Sequence, residues 1–364
     1  MKIHSLNFLN FRNLHDKKII FGENINLFYG KNAQGKTSLL EAIYFGSMGI
    51  SFRTKKVVEM MKYNKSKFGT HLEFENELGA NSLTVKYGIN QSHQKTFLMN
   101  GKKKAHSDFF GQINIIVYVP EDIIIINGSP KNRRNFFDIE ISQSDRLYFS
   151  NLKTFNKLLK IRNKFLKEKN INNAEYKIYT ENFVEYAAKI MYSRMQYVKE
   201  MNCILCKLYN ELFEKQQELK IVYKSIENID KLEVQEIKNA IYKNIADNIN
   251  TELKYGYSLV GPQKDDYTFL LDDKDANVSA SQGEKKSIIF SLKLAELEMV
   301  KKNKREYPVV LIDDITSYFD KYRRKSVIEF LKKKRIQVII SSTDKIEEDC
   351  FSFFVDGGDI LSEQ

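Results

Sequence analysis

Short apolar runs and strict alternation fill the first third of the chain. Residues 19–21 and 25–29 are compact apolar runs. Leu83, Val85, Tyr87 and Ile89 recur with period two, the spacing of a strand with one buried face. Asn100-Gly101, between Phe97-Leu-Met99 and Lys102, predicts a tight hairpin. Only residues 37–46, rich in Leu, Ala and Ile, predict a helix there, and an apolar run over 113–119 ends at Pro120. The period then changes. Ser129-Pro130 pairs an N-cap with a proline at the first helical position. Phe183, Ala187, Ile190, Tyr197, Met201, Leu205, Leu208 and Leu212 keep three- and four-residue steps. No Gly or Pro falls between Pro130 and Gly256, and strand-like text resumes over 267–271, 309–312, 338–340 and 351–355. The pattern predicts an α/β head made from both ends of the chain, residues 1–128 and 257–364. An all-helical domain, residues 129–256, is inserted between them. There is no internal repeat and no low-complexity linker.

Composition narrows this picture. A chain of 364 residues has room for one large α/β domain or two smaller ones. No apolar run approaches the ~18 residues of a membrane helix, and the N-terminus lacks the apolar stretch of a signal peptide. Three cysteines point to a reducing interior rather than a disulfide framework. The expected address is cytoplasmic, with no membrane partner. A net charge of +11 favours a polyanionic partner. Residues 129–170 hold eleven Lys/Arg against four Asp/Glu, interleaved with six Phe and Tyr. Two readings of that segment stay open: nucleic-acid contact, and amphipathic helices whose aromatics face a core while lysines face water. Arg133-Arg134 stand in the first turns of a helix, against the dipole's preference for acids, which hints at a function.

Two stretches carry the chemistry. Gly30-Lys-Asn-Ala-Gln-Gly-Lys-Thr37 matches the P-loop pattern, with an apolar strand before it and a helix after it. Its glycines let backbone N–H groups converge on a phosphate. Lys36 would neutralise β- and γ-phosphate oxygens, and Thr37 would offer its hydroxyl to Mg²⁺. Val309-Val-Leu-Ile-Asp-Asp314 is an apolar strand ending in paired acids, which burial disfavours unless they have work to do. As a Walker B strand it assigns Asp313 to the magnesium shell and Asp314 to orienting or deprotonating water. A third stretch, Ala280-Ser-Gln-Gly283, begins another helix with N–H groups free to face an anion. Cys203-Ile-Leu-Cys206 is half a zinc site without a second pair, so it reads as helix packing. His4, His15, His71, His93 and His106 form no i, i+4 pair and read as structural or surface residues.

Taken in order, these residues resemble the RecF family of bacterial recombination proteins, relatives of SMC- and ABC-type ATPases. The resemblance rests on Asn10-Phe-Arg-Asn13, the P-loop and the helix after it, Phe52-Arg-Thr54, Pro120-Glu-Asp122 and Gly128-Ser-Pro-Lys-Asn-Arg-Arg134. It continues through Arg162-Asn163, Gly261-Pro262 with Asp265-Asp266, Ala280-Ser-Gln-Gly283 and Leu292-Lys-Leu-Ala-Glu-Leu297. There are departures. Gln263-Lys264 replaces the usual His-Arg, Glu284-Lys285-Lys286 the usual Gln-Gln-Arg, and Ser317-Tyr-Phe-Asp320 the usual Ser-Glu-Leu-Asp. Ser342-Thr343-Asp344 stands where many ABC ATPases carry a switch histidine.

The resemblance implies an ABC-type P-loop head that dimerises around ATP and Mg²⁺, hydrolyses ATP slowly and binds DNA near single-strand gaps. RecO and RecR would act as mediators that favour RecA loading. It implies nucleotide contacts from Arg12, Gly30, Lys31, Asn32, Ala33, Gln34, Gly35, Lys36, Thr37 and Ser38. It also implies that Ser281, Gln282 and Gly283 serve the ATP held by a second copy. The rival class is the ATPase subunit of a membrane transporter, against which stand the long helical insert and the missing switch histidine. A nuclease would need a further acidic metal cluster, for which only Glu347-Glu-Asp349 offers itself. An SMC-type tether would need far longer coiled-coil arms than this insert provides.

Overall fold

The computed structural model describes the chain except at residues 90–93, 214–215, 227–232, 319–320, 347–349 and 364; at 317, 318, 321–323 and 326 only the backbone is described. His93, Glu347-Glu-Asp349 and the side chains of 317–320 therefore lie outside the described residues. The chain divides into two compact units, Met1–Asp122 with Glu296–Gln364, and Ile123–Ala295. Among the described residues, no helix is long and apolar enough to cross a membrane.

The first unit is built on two six-stranded sheets. One runs in the order Asp359–Glu363, Phe351–Asp356, Ile25–Tyr29, Val338–Ser342, Val309–Ile312, Ile115–Tyr118. Every neighbouring pair is parallel except the first. Val309–Ile312, Ile115–Tyr118 and Val338–Ser342 are buried at every position, which is why all but Ser341-Ser342 read as unbroken apolar text rather than alternation. The other sheet is antiparallel and takes Lys17–Ile20, Lys2–Leu9, Lys67–Asn76, Gly79–Gly88, Gln94–Met99 and Lys102–Lys104 in that order. Here alternation does report the fold: Leu83, Val85 and Tyr87 are buried, while Thr84 and Lys86 between them face outward. The inward face packs on the helix Lys36–Met48, where a Cβ on Gly46 would stand 2.9 Å from a Leu72 methyl. Gln337 ties the sheets together. Its amide oxygen accepts from Ile3 N at 2.7 Å, and its nitrogen donates to Ile3 O at 2.8 Å and Gly22 O at 2.9 Å. The Asn100-Gly101 hairpin forms as the dipeptide predicts, with both residues at positive φ.

The second unit holds the helices Pro130–Ser144, Arg146–Lys167, Ala174–Phe213 and Val234–Tyr255, and the start of Gln282–Lys304. It is not wholly helical. Leu219–Lys224 is a strand, paired antiparallel with Asp266–Leu271, and Lys274–Asp275 completes a three-stranded sheet. Leu219 and Ile221 alternate inward, and Ile-Val-Tyr suits a pleated surface. A six-residue strand needs neither Gly nor Pro at its ends, so their absence over 131–255 concealed it. Because Asp266–Leu271 pairs with that strand, this compact unit runs on to residue 295 and takes in Ala280-Ser-Gln-Gly283.

Within this unit three of the six aromatics of residues 129–170, Phe137, Tyr148 and Phe155, are buried and the other three are half-buried, and Phe137 stacks on Tyr267 at 3.9 Å. Lys131, Lys153, Lys157, Lys160 and Lys164 face solvent. The two arginines that seemed misplaced at a helix start have structural partners. Arg133 grips both carboxylate oxygens of Asp266 at 2.7 and 2.9 Å and donates to Gly128 O at 2.7 Å. Arg134 donates to Asp265 O at 2.6 Å. Buried Arg194 spans Asp138 at 2.8 Å, Asp265 at 3.0 Å and Pro262 O at 2.8 Å. The Gly-Ser-Pro and Gly-Pro motifs are thus two halves of one clasp. Burial pushes the Asp266 carboxyl upward, but the Arg133 hydrogen bonds, the Tyr267 N–H and the charges of Arg133 and Arg134 together outweigh it and hold the group below the ordinary range. Asp265 goes the other way, raised by burial against the pull of Arg194 and Tyr223.

Candidate nucleotide site

The P-loop opens where the strand Ile25–Tyr29 leaves the middle of the parallel sheet, at the carboxyl ends of the strands, the usual ligand edge of such sheets. Gly30 has φ +151, and a Cβ there would lie 2.2 Å from Val355 O, so no other residue fits. Gly35, at φ +114, is the N-cap of Lys36–Met48 and leaves the first turn without a side-chain cap. The N–H groups at this helix start are therefore available to a phosphate.

Lys36 is buried, and its Nζ donates to Gly30 O at 2.6 Å and Lys31 O at 2.8 Å, holding the loop curled around it. Burial lowers its pKa, and the carboxylates of Asp314, Asp313 and Asp344 work in the opposite sense. Thr37 Oγ1 donates to Asp313, with both carboxylate oxygens within 2.9–3.0 Å. Ser341 Oγ donates to Asp313 Oδ1 at 2.6 Å and accepts from Asp314 N at 2.8 Å. Asp313 is 7% exposed, and burial raises its pKa; the Ser341 and Thr37 hydroxyls pull it down, while Glu121 and Asp314 push it further up. Asp314 sits at φ +49, a left-handed conformation rare for a side-chain-bearing residue, and its Oδ1 accepts from Thr316 Oγ1 at 3.0 Å.

These groups line one cavity of about 480 Å³, together with Asn13, Asn32, Ala33, Gly35, Ser38, Arg53, Pro120 and Glu121. Gly30 and Lys31 shape the loop through their carbonyls rather than lining the cavity. Gln34 turns away: its Oε1 accepts from Gly357 N at 2.5 Å, pinning the loop to the hairpin between the last two strands. Arg12 is also outside the lining. Its guanidinium is held by both oxygens of fully buried Glu41 at 2.8 Å and donates to Glu59 O at 2.6 Å. Arg53 reaches the same Glu41 at 3.3 Å and does line the cavity. Asn13, Arg53, Pro120 and Glu121 received no role from sequence reasoning, although each sits in a motif quoted for the resemblance. Ser341 carried no signal beyond its place at the end of a buried strand.

Ser281, Gln282 and Gly283 lie in the other unit, exposed at the start of Gln282–Lys304. Ser281 N and Oγ both donate to Glu284 Oε2 at 2.8 Å, a capping box. Gly283 has no positive φ, and a Cβ added there would meet nothing within 4 Å. Nothing described in this chain requires glycine at that position. Cys203 and Cys206 bond backbone carbonyls of Lys199 and Gln217, and no group of three metal-ligating side chains occurs among the described residues.

The family model for the RecF/RecN/SMC N terminal domain matches residues 2–349. A DNA replication and repair protein RecF from Thermoanaerobacter sp. (strain X514) is 35% identical over 359 residues, covering 97% of this chain and 98% of its own. The chain belongs to the RecF family. Another RecF, from Shouchella clausii (strain KSM-K16), is 32% identical and covers 99% of both chains. A solved structure of the recombination mediator protein RecF-ATP in the RecFOR pathway matches with TM-score 0.91 at 31% identity, covering 100% of this chain and 97% of that one. An SMC head bound to the C-winged helix domain of ScpA matches with TM-score 0.59 at 14% identity, a likeness of fold alone. That RecF lineage replaces the transporter reading.

Proposed function

We propose that this chain is an ATP-dependent DNA-binding protein of recombinational repair and replication-fork maintenance. Two copies close around ATP on DNA at single-strand gaps, hydrolysis is slow and resets the dimer, and RecO and RecR act as mediators that favour RecA loading. Its expected address is the cytoplasm. The observation that carries the reading is the convergence of Lys36, Thr37, Asp313 and Asp314 on one cavity at the carboxyl edge of the parallel sheet.

The site suits Mg²⁺. Asp313 is a buried carboxylate whose hydrogen bonds come from two hydroxyls, with Glu121 and Asp314 as acidic neighbours. A single carboxylate and a hydroxyl fit an ion that draws most of its ligands from phosphates and water. Thr37 and Asp313 would hold the metal, which when bound neutralises charge on the β- and γ-phosphates. Lys36 neutralises the same oxygens from the loop side, and the N–H groups of residues 31–38 cradle them. Asp314 Oδ accepts a proton from, or orients, the water that attacks.

Support for a second copy comes from the exposed turn at 281–283. Glycine in a helix costs up to about 1 kcal/mol relative to alanine, and among the described residues nothing comes close enough to require a missing Cβ at Gly283. A phosphate held by a partner copy would need that open approach. Ser281 must then exchange Glu284 for the phosphate. The test is DNA binding by the whole chain with and without ATP·Mg²⁺, on gapped, single-stranded and blunt duplex substrates over a salt series. Affinity should rise with ATP and fall with salt as counterions are displaced. Equal affinity for DNA with and without ATP at matched salt would contradict the reading.

A further inference from the structure

Arg162-Asn163 is a motif that the nucleotide site leaves unused. Arg162 and Glu252 are both fully buried and paired at 2.6 Å. Glu252 also accepts from Leu259 N at 2.7 Å, Arg162 donates to Ser258 Oγ at 2.5 Å, and Asn163 Oδ1 accepts from Ser258 N at 2.8 Å. A buried charge pair is a costly way to fix a loop, and its most secure return is a unique geometry. What the loop displays is aromatic. Tyr255 ends the helix Val234–Tyr255, Gly256 turns the chain at φ +73, and Tyr257 follows. The two rings stack, with centroids 5.8 Å apart and planes within 22°, yet Tyr255 is 56% exposed and Tyr257 41%. Lys264 Nζ lies 4.9 Å from the centre of the Tyr257 ring. A Cβ on Gly256 would touch Lys167 Cα at 3.3 Å, which places the basic end of Arg146–Lys167 beside the pair.

Exposed Lys167, Lys254 and Lys264 thus accompany the tyrosines, while Lys164, further back on the same helix as Lys167, is paired with the exposed acid Glu168 at 3.9 Å. Rigid exposed rings with an excess of positive charge match the two faces of an unpaired nucleotide, a flat base and an anionic phosphate. We infer that Tyr255 and Tyr257, held by the Arg162–Glu252 anchor and flanked by Lys264, form a stacking platform for the bases of single-stranded DNA. The inference rests on the DNA-binding reading above and assigns it a surface. It explains selectivity for a gap without base-specific hydrogen bonds, because every unpaired base offers a face for stacking whereas paired bases in a duplex do not.

The test uses the full-length protein with ATP·Mg²⁺, a labelled oligo-dT and a blunt duplex of equal length, with binding read by anisotropy. The Tyr255→Ala/Tyr257→Ala variant should lose oligo-dT affinity by about five- to 160-fold per lost stack, with duplex affinity unchanged. Tyr255→Phe/Tyr257→Phe should bind like the parent, since stacking needs the ring and not the hydroxyl. An oligonucleotide carrying 2-aminopurine should be quenched on binding the parent and not the alanine variant. Unchanged thermal unfolding of the alanine variant shows that the buried anchor is intact. The platform is overturned if oligo-dT affinity is unchanged, if duplex affinity falls equally, or if the phenylalanine variant fails like the alanine one. A parent that binds duplex but never a single strand sinks the platform alone; a parent that binds neither with ATP sinks the DNA-binding reading as well.

Discussion

Asp313→Asn should move two properties of the protein in opposite directions. Asp313 is buried, takes side-chain hydrogen bonds only from hydroxyls among the described residues and has acidic neighbours, so without metal the nearby Lys36 compensates its charge only in part. Asparagine keeps the volume and the acceptor for Ser341 and Thr37, and removes the charge. Since the carboxyl's pKa is raised in the folded chain, its stabilising share is present below the ordinary value and lost as pH rises through the raised one. The nucleotide-free variant should therefore be more stable than the parent at neutral pH by about 1 kcal/mol, or roughly 2–4 °C in melting temperature. That difference should vanish below about pH 4, where the parent is protonated too. With ligand the order reverses. The parent should gain ~2.7 kcal/mol at ATP·Mg²⁺ a hundredfold above Kd, while the variant gains no more than ATP with EDTA provides. Thermal unfolding of both proteins, without nucleotide, with ATP·EDTA and with ATP·Mg²⁺, tests this. Asp313 is wrongly assigned if the nucleotide-free variant melts below the parent at neutral pH, or if it keeps the full magnesium-dependent gain.

Asp314→Asn should leave magnesium-dependent ATP binding in place, because Asp313 and Thr37 are untouched, while turnover falls and the nucleotide-bound dimer accumulates; parental turnover in a phosphate-release assay would assign the wrong carboxylate. Arg133→Ala should cost about 2–3 kcal/mol in urea unfolding, less than a fully buried pair because Asp266 is partly exposed. Its effect on DNA binding at a temperature where it is folded should be slight, and a large loss there would return Arg133 to the DNA surface.

Legibility in the sequence followed local physics. The P-loop, the Walker B strand and the Asn100-Gly101 hairpin announce themselves because backbone conformation dictates the residue: Gly30 has no room for a Cβ, and the hairpin needs two positive φ angles. The strand Leu219–Lys224 stayed hidden because its partner lies about fifty residues on, at Asp266–Leu271, and no turn signal flanks it. Arg133-Arg134 were misleading for a related reason. The acids that justify them, Asp265 and Asp266, are distant in the chain, so a structural clasp looked like a misplaced basic patch. Glu121 and Arg53 enter the cavity from loops whose course no periodicity fixes. The aromatics of 129–170 read equally as core or as ligand contacts in the sequence, and burial assigns Phe137, Tyr148 and Phe155 to the core, whereas the exposed pair Tyr255 and Tyr257 lies outside that segment and gave no sequence signal.

If, as proposed, each ATP site is completed by two copies of the chain, mixing two inactive variants should restore it. Lys36→Ala removes the loop-side cation, and Ser281→Arg places a bulky charge where Gly283 leaves open space. Each variant alone should hydrolyse no ATP, since both sites of its homodimer are damaged. Mixed one to one, heterodimers pair the intact Lys36 of one chain with the intact Ser281 of the other, and ATP hydrolysis should return in step with heterodimer formation. Turnover by Ser281→Arg alone at the parental rate, independent of protein concentration, would show that each chain hydrolyses ATP without a second copy.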